Sequence, residues 1–379
     1  MRLPRILILL IATPALLHAQ GSTRFPMSRD SIVGRLADLQ RIHTPEGIDE
    51  VEALDVNGAK EWIAIRGLNR SNPILLVLHG GPGSAMMGMS WSYQKPWEDF
   101  FTVVNWDQRG VGKNFNAADT ARLAATMTVE QYVRDAEVVV RHVLKKLGQR
   151  KLVLMGYSFG TSFGPLLVQA HPELFHAWVG VGVAAGDEDG ESGEAALYAR
   201  VLQLAKASND TGAIRALDAL APYPPHPFDV RKALAVRKYV RQYDGGWYGK
   251  PDFSLYFSLP DFGAAYDSAD VAKVLPGISW SEALLASEAS ASLTPSLTYA
   301  VPVVYMQGRY DLHTPYETAR RQFDQLQAPR KTFISFERSA HMIMWEEPGK
   351  FLMSLVTEVL PLAGGRKEFV VMPDPPRRR

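Results

Sequence analysis

The sequence predicts an α/β fold, with a mostly parallel central sheet flanked by helices and a helical cap inserted after the sixth strand. Three observations carry this expectation. Apolar runs such as Ile74–Leu78 lack the polar alternation of a half-exposed strand, which suits strands covered on both faces. A helix-spaced segment, Val129–Leu147, lies between two such runs and meets a stop signal at Gly148, in the strand–helix–strand order of a right-handed crossover. From residue 184 to 299 buried-strand patterns lapse, and they resume at Val301.

Taken in order, residues 1–19 predict an export signal. Arg2 and Arg5 precede an apolar run over 6–12, and Leu17-His18-Ala19 ends on a small residue. Thr13-Pro14 breaks the run, which is shorter than the roughly 20 residues a membrane-spanning helix needs. Cleavage after Ala19 would leave 39 basic against 40 acidic residues, no stable membrane span, and a secreted or periplasmic protein. The alternative is an uncleaved N-terminal anchor.

The first part of the body is expected over 20–183. A hairpin comes first, with strands at 51–56 and 61–66 around an Asn57-Gly58 turn. Strands at 74–78, 101–106, 151–155 and 177–181 follow. The cap, 184–299, shows helix-like stretches at 194–207, 213–220, 230–243 and 280–290, separated by Pro222-Tyr223-Pro224-Pro225 and Gly245-Gly246. Strands at 301–307 and 331–336, with a helix at 316–326 between them, complete the body over 300–365. The tail, 366–379, ends in Pro375-Pro376-Arg377-Arg378-Arg379 and is expected to be unpacked.

Composition removes whole classes of chemistry. Of 379 residues 46% are hydrophobic and 21% charged, so a sizeable core forms and wholesale disorder is excluded. Forty-one basic against 40 acidic residues offer no electrostatic footprint for nucleic acid. With no cysteine there is no disulfide, thiolate nucleophile, iron–sulfur cluster or zinc ribbon. No paired-ligand spacing argues for a metal, and no cofactor is expected. Gly110-Val111-Gly112-Lys113 lacks the gap and the hydroxyl residue of a phosphate loop. A nucleophile here must be an oxygen or a nitrogen.

Gly156-Tyr157-Ser158-Phe159-Gly160 directly follows an apolar strand and leads into a helical stretch. A strand turning sharply into a helix strains the serine backbone and exposes its hydroxyl, and glycines two residues either side leave room for the turn. That hydroxyl needs a base, and the base an orienting acid. Asp311 follows one late strand and His341 the last, giving the chain order Ser158, Asp311, His341 of an α/β-hydrolase. His313 competes as base but lies only two residues past the acid. Acyl transfer also needs two backbone N–H groups for the developing oxyanion. One is expected from Phe159, the other from the loop His79-Gly80-Gly81-Pro82-Gly83, whose small residues admit a substrate closely.

These stretches, with Asn105-Trp106-Asp107-Gln108-Arg109-Gly110, Gly308-Arg309-Tyr310-Asp311 and Ser339-Ala340-His341, resemble the prolyl iminopeptidase branch of the α/β-hydrolases over roughly 50–183 and 300–362. The resemblance implies Ser158 as nucleophile, Asp311 as orienter, His341 as base, and Gly81 with Phe159 as oxyanion donors. It also implies that Asp107 and Arg109 are ion-paired scaffolding beside the site. The sequence departs from the family at the elbow, where Tyr157 and Phe159 replace Gly and Trp, and in Val111-Gly112-Lys113-Asn114 after the Asp-Gln-Arg-Gly turn.

In that family carboxylates of the cap hold the free amine of the peptide. Five acids crowd residues 187–194, of which Glu191 and Glu194 enter a helix and are the candidates; a solvated acidic linker is the alternative. Gly80 and Trp91 are expected to line the substrate, and Tyr93, Trp97 and Trp247-Tyr248 to wall a pocket or fill the core. The implied activity is release of an N-terminal residue, proline preferred, from small peptides. An esterase, amidase or lactonase would use the same three residues on a small acyl substrate, and a non-catalytic binding module would use none. Epoxide hydrolases and dehalogenases of this fold would want a carboxylate at position 158.

Overall fold

The computed structural model describes residues 28–185, 191–225, 229–250, 253–291 and 295–364. The expected export signal, the C-terminal tail, Asp187, Glu188, Asp189 and the side chain of Glu191 lie outside the described residues.

Helix α1 (Arg29–Leu39) opens the described chain, with the Ser28 hydroxyl accepting from Ser31 N–H as its N-cap. Strands β1 (Ile48–Val56) and β2 (Ala59–Gly67) form the hairpin about Asn57-Gly58, both at positive φ. Then come β3 (Ile74–Leu78), β4 (Thr102–Asp107), the short α2 (Thr120–Leu123), α3 (Val129–Leu147), β5 (Leu152–Tyr157), α4 (Gly160–Ala170) and β6 (Phe175–Val181). Among the described residues five α-helices lie between β6 and β7: α5 (Glu191–Ala207), α6 (Thr211–Asp218), α7 (Val230–Gln242), α8 (Ser254–Ser258) and α9 (Ser268–Ala291). The chain closes with β7 (Val303–Gly308), α10 (Tyr316–Gln325), β8 (Lys331–Phe336), α11 (Ile343–Glu346) and α12 (Pro348–Ser354). Among the described residues no helix is long and apolar enough to cross a membrane.

The eight strands form one sheet in the order β1-β2-β4-β3-β5-β6-β7-β8, antiparallel at β1–β2 and β2–β4 and parallel elsewhere. Each unalternating run is explained by two cores. Ile74, Leu76 and Leu78 of β3 enter the cluster on one face while Leu75 and Val77 enter the other. Helix α3 buries Val129, Tyr132, Ala136, Val139, Val140 and Val143 in the first cluster, each large side chain contributing about 1.5–3 kcal/mol. Thr128 caps its start by accepting from Gln131 N–H, and Gly148 ends it at φ 66°.

From β3 the chain passes to β4 on one side and then returns to β5 on the other. The crevice at the C-terminal ends of strands around such a switch point is where ligands of open α/β sheets bind. Leu78 pairs with Gly156, so His79–Gly83 and Gly156–Gly160 emerge side by side.

The insertion is helical, but two of its elements differ from the expectation. Helix α9 starts at Ser268, twelve residues before the anticipated 280, and runs through Pro276-Gly277. Proline removes a hydrogen bond from a helix interior. Here Val274 and Ile278, either side of it, are buried against the body with Met87 and Tyr266, which offsets the loss. Helix α8 has no counterpart in the sequence reading; five residues are too few for a periodic signal.

Candidate active site

The serine turn is strained as its sequence demands. Ser158 sits at φ 51°, its N–H donates to Val181 O at 2.9 Å, and its carbonyl accepts from the Thr161 N–H and hydroxyl as α4 begins. A side chain at Gly160 would come within 2.3 Å of Leu78 O, and one at Gly156 within 2.5 Å of the Trp178 ring. Both glycines are therefore set by close approach of strand, helix and elbow. Phe159 is buried between Tyr132 and Phe163, so its aromatic ring anchors the elbow in the core while its N–H heads the helix.

The loop after β3 passes directly over the serine. A Cβ at Gly80 would lie 3.0 Å from that of Ser158. Gly81 adopts φ 117°, and a Cβ there would meet Gly83 N at 2.4 Å. Among the described residues no backbone carbonyl takes up the N–H of Gly81 or of Phe159. His79 holds this loop to the next. Its Nδ1 faces Gly80 O at 2.9 Å, and its Nε2 accepts from Gln108 N–H at 3.3 Å. Burial pulls its pKa down to about 4, so the ring is neutral at physiological pH, as one donor and one acceptor require.

The late loops bring Asp311 and His341 together. Asp311 Oδ2 lies 2.7 Å from His341 Nδ1, inside a site where the two residues are 2% and 5% exposed. The Thr314 hydroxyl donates to the same oxygen at 2.7 Å, the Gln307 amide at 3.1 Å, and Thr314 N–H donates to Oδ1 at 2.9 Å. A carboxylate so surrounded holds Nδ1 protonated and leaves Nε2 as the acceptor. The His341 ring packs on Tyr157 with centroids 5.1 Å apart, and a Cβ at Gly182, just past the Val181 that receives Ser158 N–H, would touch its Cε1 at 2.9 Å. Elbow and imidazole thus flank the same residue pair, although the ring's described hydrogen bonds run to Asp311 and Thr314 and none to Ser158. His313, the competing base, lies 5.1 Å from the His341 ring and has no carboxylate partner among the described residues. Lost hydration and the charges of His341, Arg237 and Arg241 hold its pKa well below the usual histidine value.

The two scaffold residues divide differently from the expectation. Arg109 is ion-paired, to Asp135 through 2.6 and 2.9 Å hydrogen bonds. Asp107 instead accepts from the Tyr266 hydroxyl at 2.6 Å and Lys113 N–H at 2.8 Å, while the Lys113 ammonium pairs with Asp270. Burial raises Asp107 to about 7.

Of the candidate substrate residues, Gly80 lies over Ser158 and the others that are described have partners of their own. Trp91 is half-buried, its indole N–H bound to Leu259 O at 2.9 Å, and Tyr93 and Trp97 are core residues. Glu194 is held by Nη1 and Nη2 of Arg237 and by the Tyr223 hydroxyl, so its charge is already met. Glu282 lies in the helix expected over 280–290, but no motif marks it as a site residue. It follows Ser281, which packs on Gly83 of the loop after β3, and burial raises its pKa against the opposing pull of Arg241. Among the described residues no group of acids and histidines could hold a metal ion.

The chain is 30% identical to “Probable aminopeptidase YbaC” of Bacillus subtilis (strain 168) over 308 residues, 80% of this chain and 94% of that one. Its fold is shared with a proline iminopeptidase-related protein of Thermus thermophilus, at TM-score 0.54 and 20% identity over 83% of this chain and 99% of the other. It is shared also with a thermophilic esterase from Thermogutta terrifontis, at TM-score 0.51 and 14% identity over 83% and 99%. Residues 73–348 match the serine aminopeptidase family S33, and the chain belongs to that family of α/β-hydrolases.

Proposed function

We propose that this hydrolase is an exported serine aminopeptidase that releases an N-terminal residue, proline preferred, from small peptides. The observation that carries the reading is the 2.7 Å Asp311–His341 contact beside the Ser158 elbow, in a chain of the serine aminopeptidase family. His341 Nε2 takes the Ser158 Oγ proton as Oγ attacks the scissile carbonyl, and Asp311 stabilises the resulting imidazolium. The Gly81 and Phe159 N–H groups receive the oxyanion. His341 then returns the proton to the leaving amine, and water, deprotonated by the same ring, releases the acyl group and restores Ser158. The substrate's ammonium needs an anionic partner in a dry site. Glu282, next to the Ser281 that packs on Gly83, is a better candidate for that role than Glu194, whose charge Arg237 already holds.

A panel of prolyl and other aminoacyl arylamides, their N-acetylated forms, and simple acyl esters tests the reading. Turnover of free-amine arylamides, fastest with proline and abolished by acetylation and by Ser158→Ala, is the expected result. Esters turned over with every arylamide untouched would overturn it and favour an esterase or lactonase, and acetylated arylamides turned over as fast as free ones would favour an amidase. The paired state of Glu194 is the observation on that side. Export rests on Arg2, Arg5 and the apolar run before Ala19. A protein recovered from the cytoplasmic fraction with Met1 intact would refute it.

A further inference from the structure

The helical insertion is hydrogen-bonded to the two loops that carry Asp311 and His341. Just after α7 and the left-handed Asp244 (φ 58°), the Leu312 N–H donates to Gly245 O at 2.9 Å and the His341 N–H donates to Gly246 O at 3.1 Å. Two residues on, the Tyr248 N–H donates to Glu346 of α11, which also accepts from Ala340 N–H at 3.1 and 3.0 Å. One short stretch of the insertion therefore touches the residue after the acid, the base itself and, through Glu346, the residue before the base. Trp247 between them is buried in the body's second core beside Trp345 and Phe253, which fastens the stretch from below.

The sequence of this stretch is suited to the contact. A Cβ at Gly245 would lie 2.4 Å from that of Leu312, and a Cβ at Gly246 would lie 2.4 Å from the Phe253 ring and 3.0 Å from His313 Nε2. Any side chain would lift the two carbonyls off their donors. Displacing a catalytic group by about 1 Å can cost roughly 100-fold in rate, so the backbone of His341 is a sensitive place to be held.

We infer that Gly245, Gly246 and Glu346 are positioning residues, through which the insertion sets the orientation of His341 toward Ser158. They act on the reaction without touching substrate, so their effect falls on the chemical step rather than on substrate affinity. The inference rests on the proposed roles of Ser158, Asp311 and His341.

The test uses the full chain with Gly246→Ala and Glu346→Leu, singly and together. A fluorophosphonate probe reports the reactivity of Ser158 without reference to any substrate, and the low-field proton resonance of His341 Nδ1 reports the ring's setting. Each folded variant is expected to label at least tenfold more slowly, to lose kcat by a similar factor with KM within twofold, and to shift or broaden the Nδ1 resonance. The double variant should lose less than the product of the two, since both act on one loop. If Gly246→Ala does not fold, Glu346→Leu, which removes both acceptor oxygens at similar size, decides alone. Labelling and resonance unchanged from wild type, or a loss confined to KM, would overturn the positioning role and leave the catalytic reading intact. A wild-type protein that does not label would overturn that reading and the positioning role with it.

Discussion

Arg109 and Asp135 form a bidentate ion pair at 2.6 and 2.9 Å in which neither residue is more than 1% exposed. The guanidinium also donates to the carbonyls of Val56 and Asn57, so one side chain joins the β1–β2 turn, α3 and the loop after β4. Removing one partner leaves a buried charge without compensation, which costs about 3–5 kcal/mol. Arg109→Met should lower unfolding stability by that amount in a denaturant titration. A loss below about 1 kcal/mol would show that the pair contributes little.

Asp311 is expected to act through the tautomer of His341 and Thr314 through Asp311. Asp311→Asn preserves shape but favours the wrong tautomer, and kcat should fall by about 10,000-fold. Thr314→Val removes one charge-assisted hydrogen bond to Oδ2, of the order of 1.5–3 kcal/mol, so kcat should fall about 10- to 100-fold with KM little changed. Steady-state kinetics on one arylamide measure both. An unchanged kcat in Thr314→Val would remove that residue from the catalytic account.

The two acids of the insertion should separate in a KM comparison. Glu282→Gln should raise KM for free-amine substrates by about 10- to 100-fold, the loss of one charged contact. Its effect on an N-acetylated ester should be small. Glu194→Gln should leave KM within about twofold and instead lower the melting temperature, because it strands Arg237. The reverse pattern would make Glu194 the amine partner.

His79 should make stability fall on the acid side. Unfolded, it protonates near its ordinary value of 6.5; folded, burial keeps it neutral down to about 4. Between these values the unfolded state binds more protons, so its contribution is complete above pH 6.5 and is lost as pH falls toward 4, about 3 kcal/mol in all. Asp107 works oppositely. Its folded pKa of about 7 exceeds the ordinary 3.8, so its contribution is complete below 3.8 and fades as pH rises toward 7. Urea unfolding at about pH 7.5 and 5 should show a shallower acid-side loss in His79→Gln than in wild type. Identical slopes would mean that His79 is not held neutral.

The order of elements and the serine turn were legible because each depends on neighbours within a few residues. Continuous apolar runs are bound to be covered on both faces, Asn57-Gly58 suits a tight turn, and the glycines around Ser158 leave room that a strand-to-helix corner needs. Helix α9 escaped in part because Pro276 weakens the local signal, and only burial of Val274 and Ile278 on the body carries the helix across it.

By itself, then, the sequence determined the sheet, the chain order of Ser158, Asp311 and His341, and the family to which these motifs point. Only the tertiary structure decided the charge states and contacts of the groups around them. Glu194 is neutralised by an arginine 43 positions away, Asp107 turned out to bind a tyrosine rather than Arg109, and the carbonyls of Gly245 and Gly246 reach the N–H groups of Leu312 and His341. Periodicity and turn chemistry act between near neighbours along the chain, whereas ion pairing and desolvation depend on which helices cross in space, and that is set by the packing of the whole core.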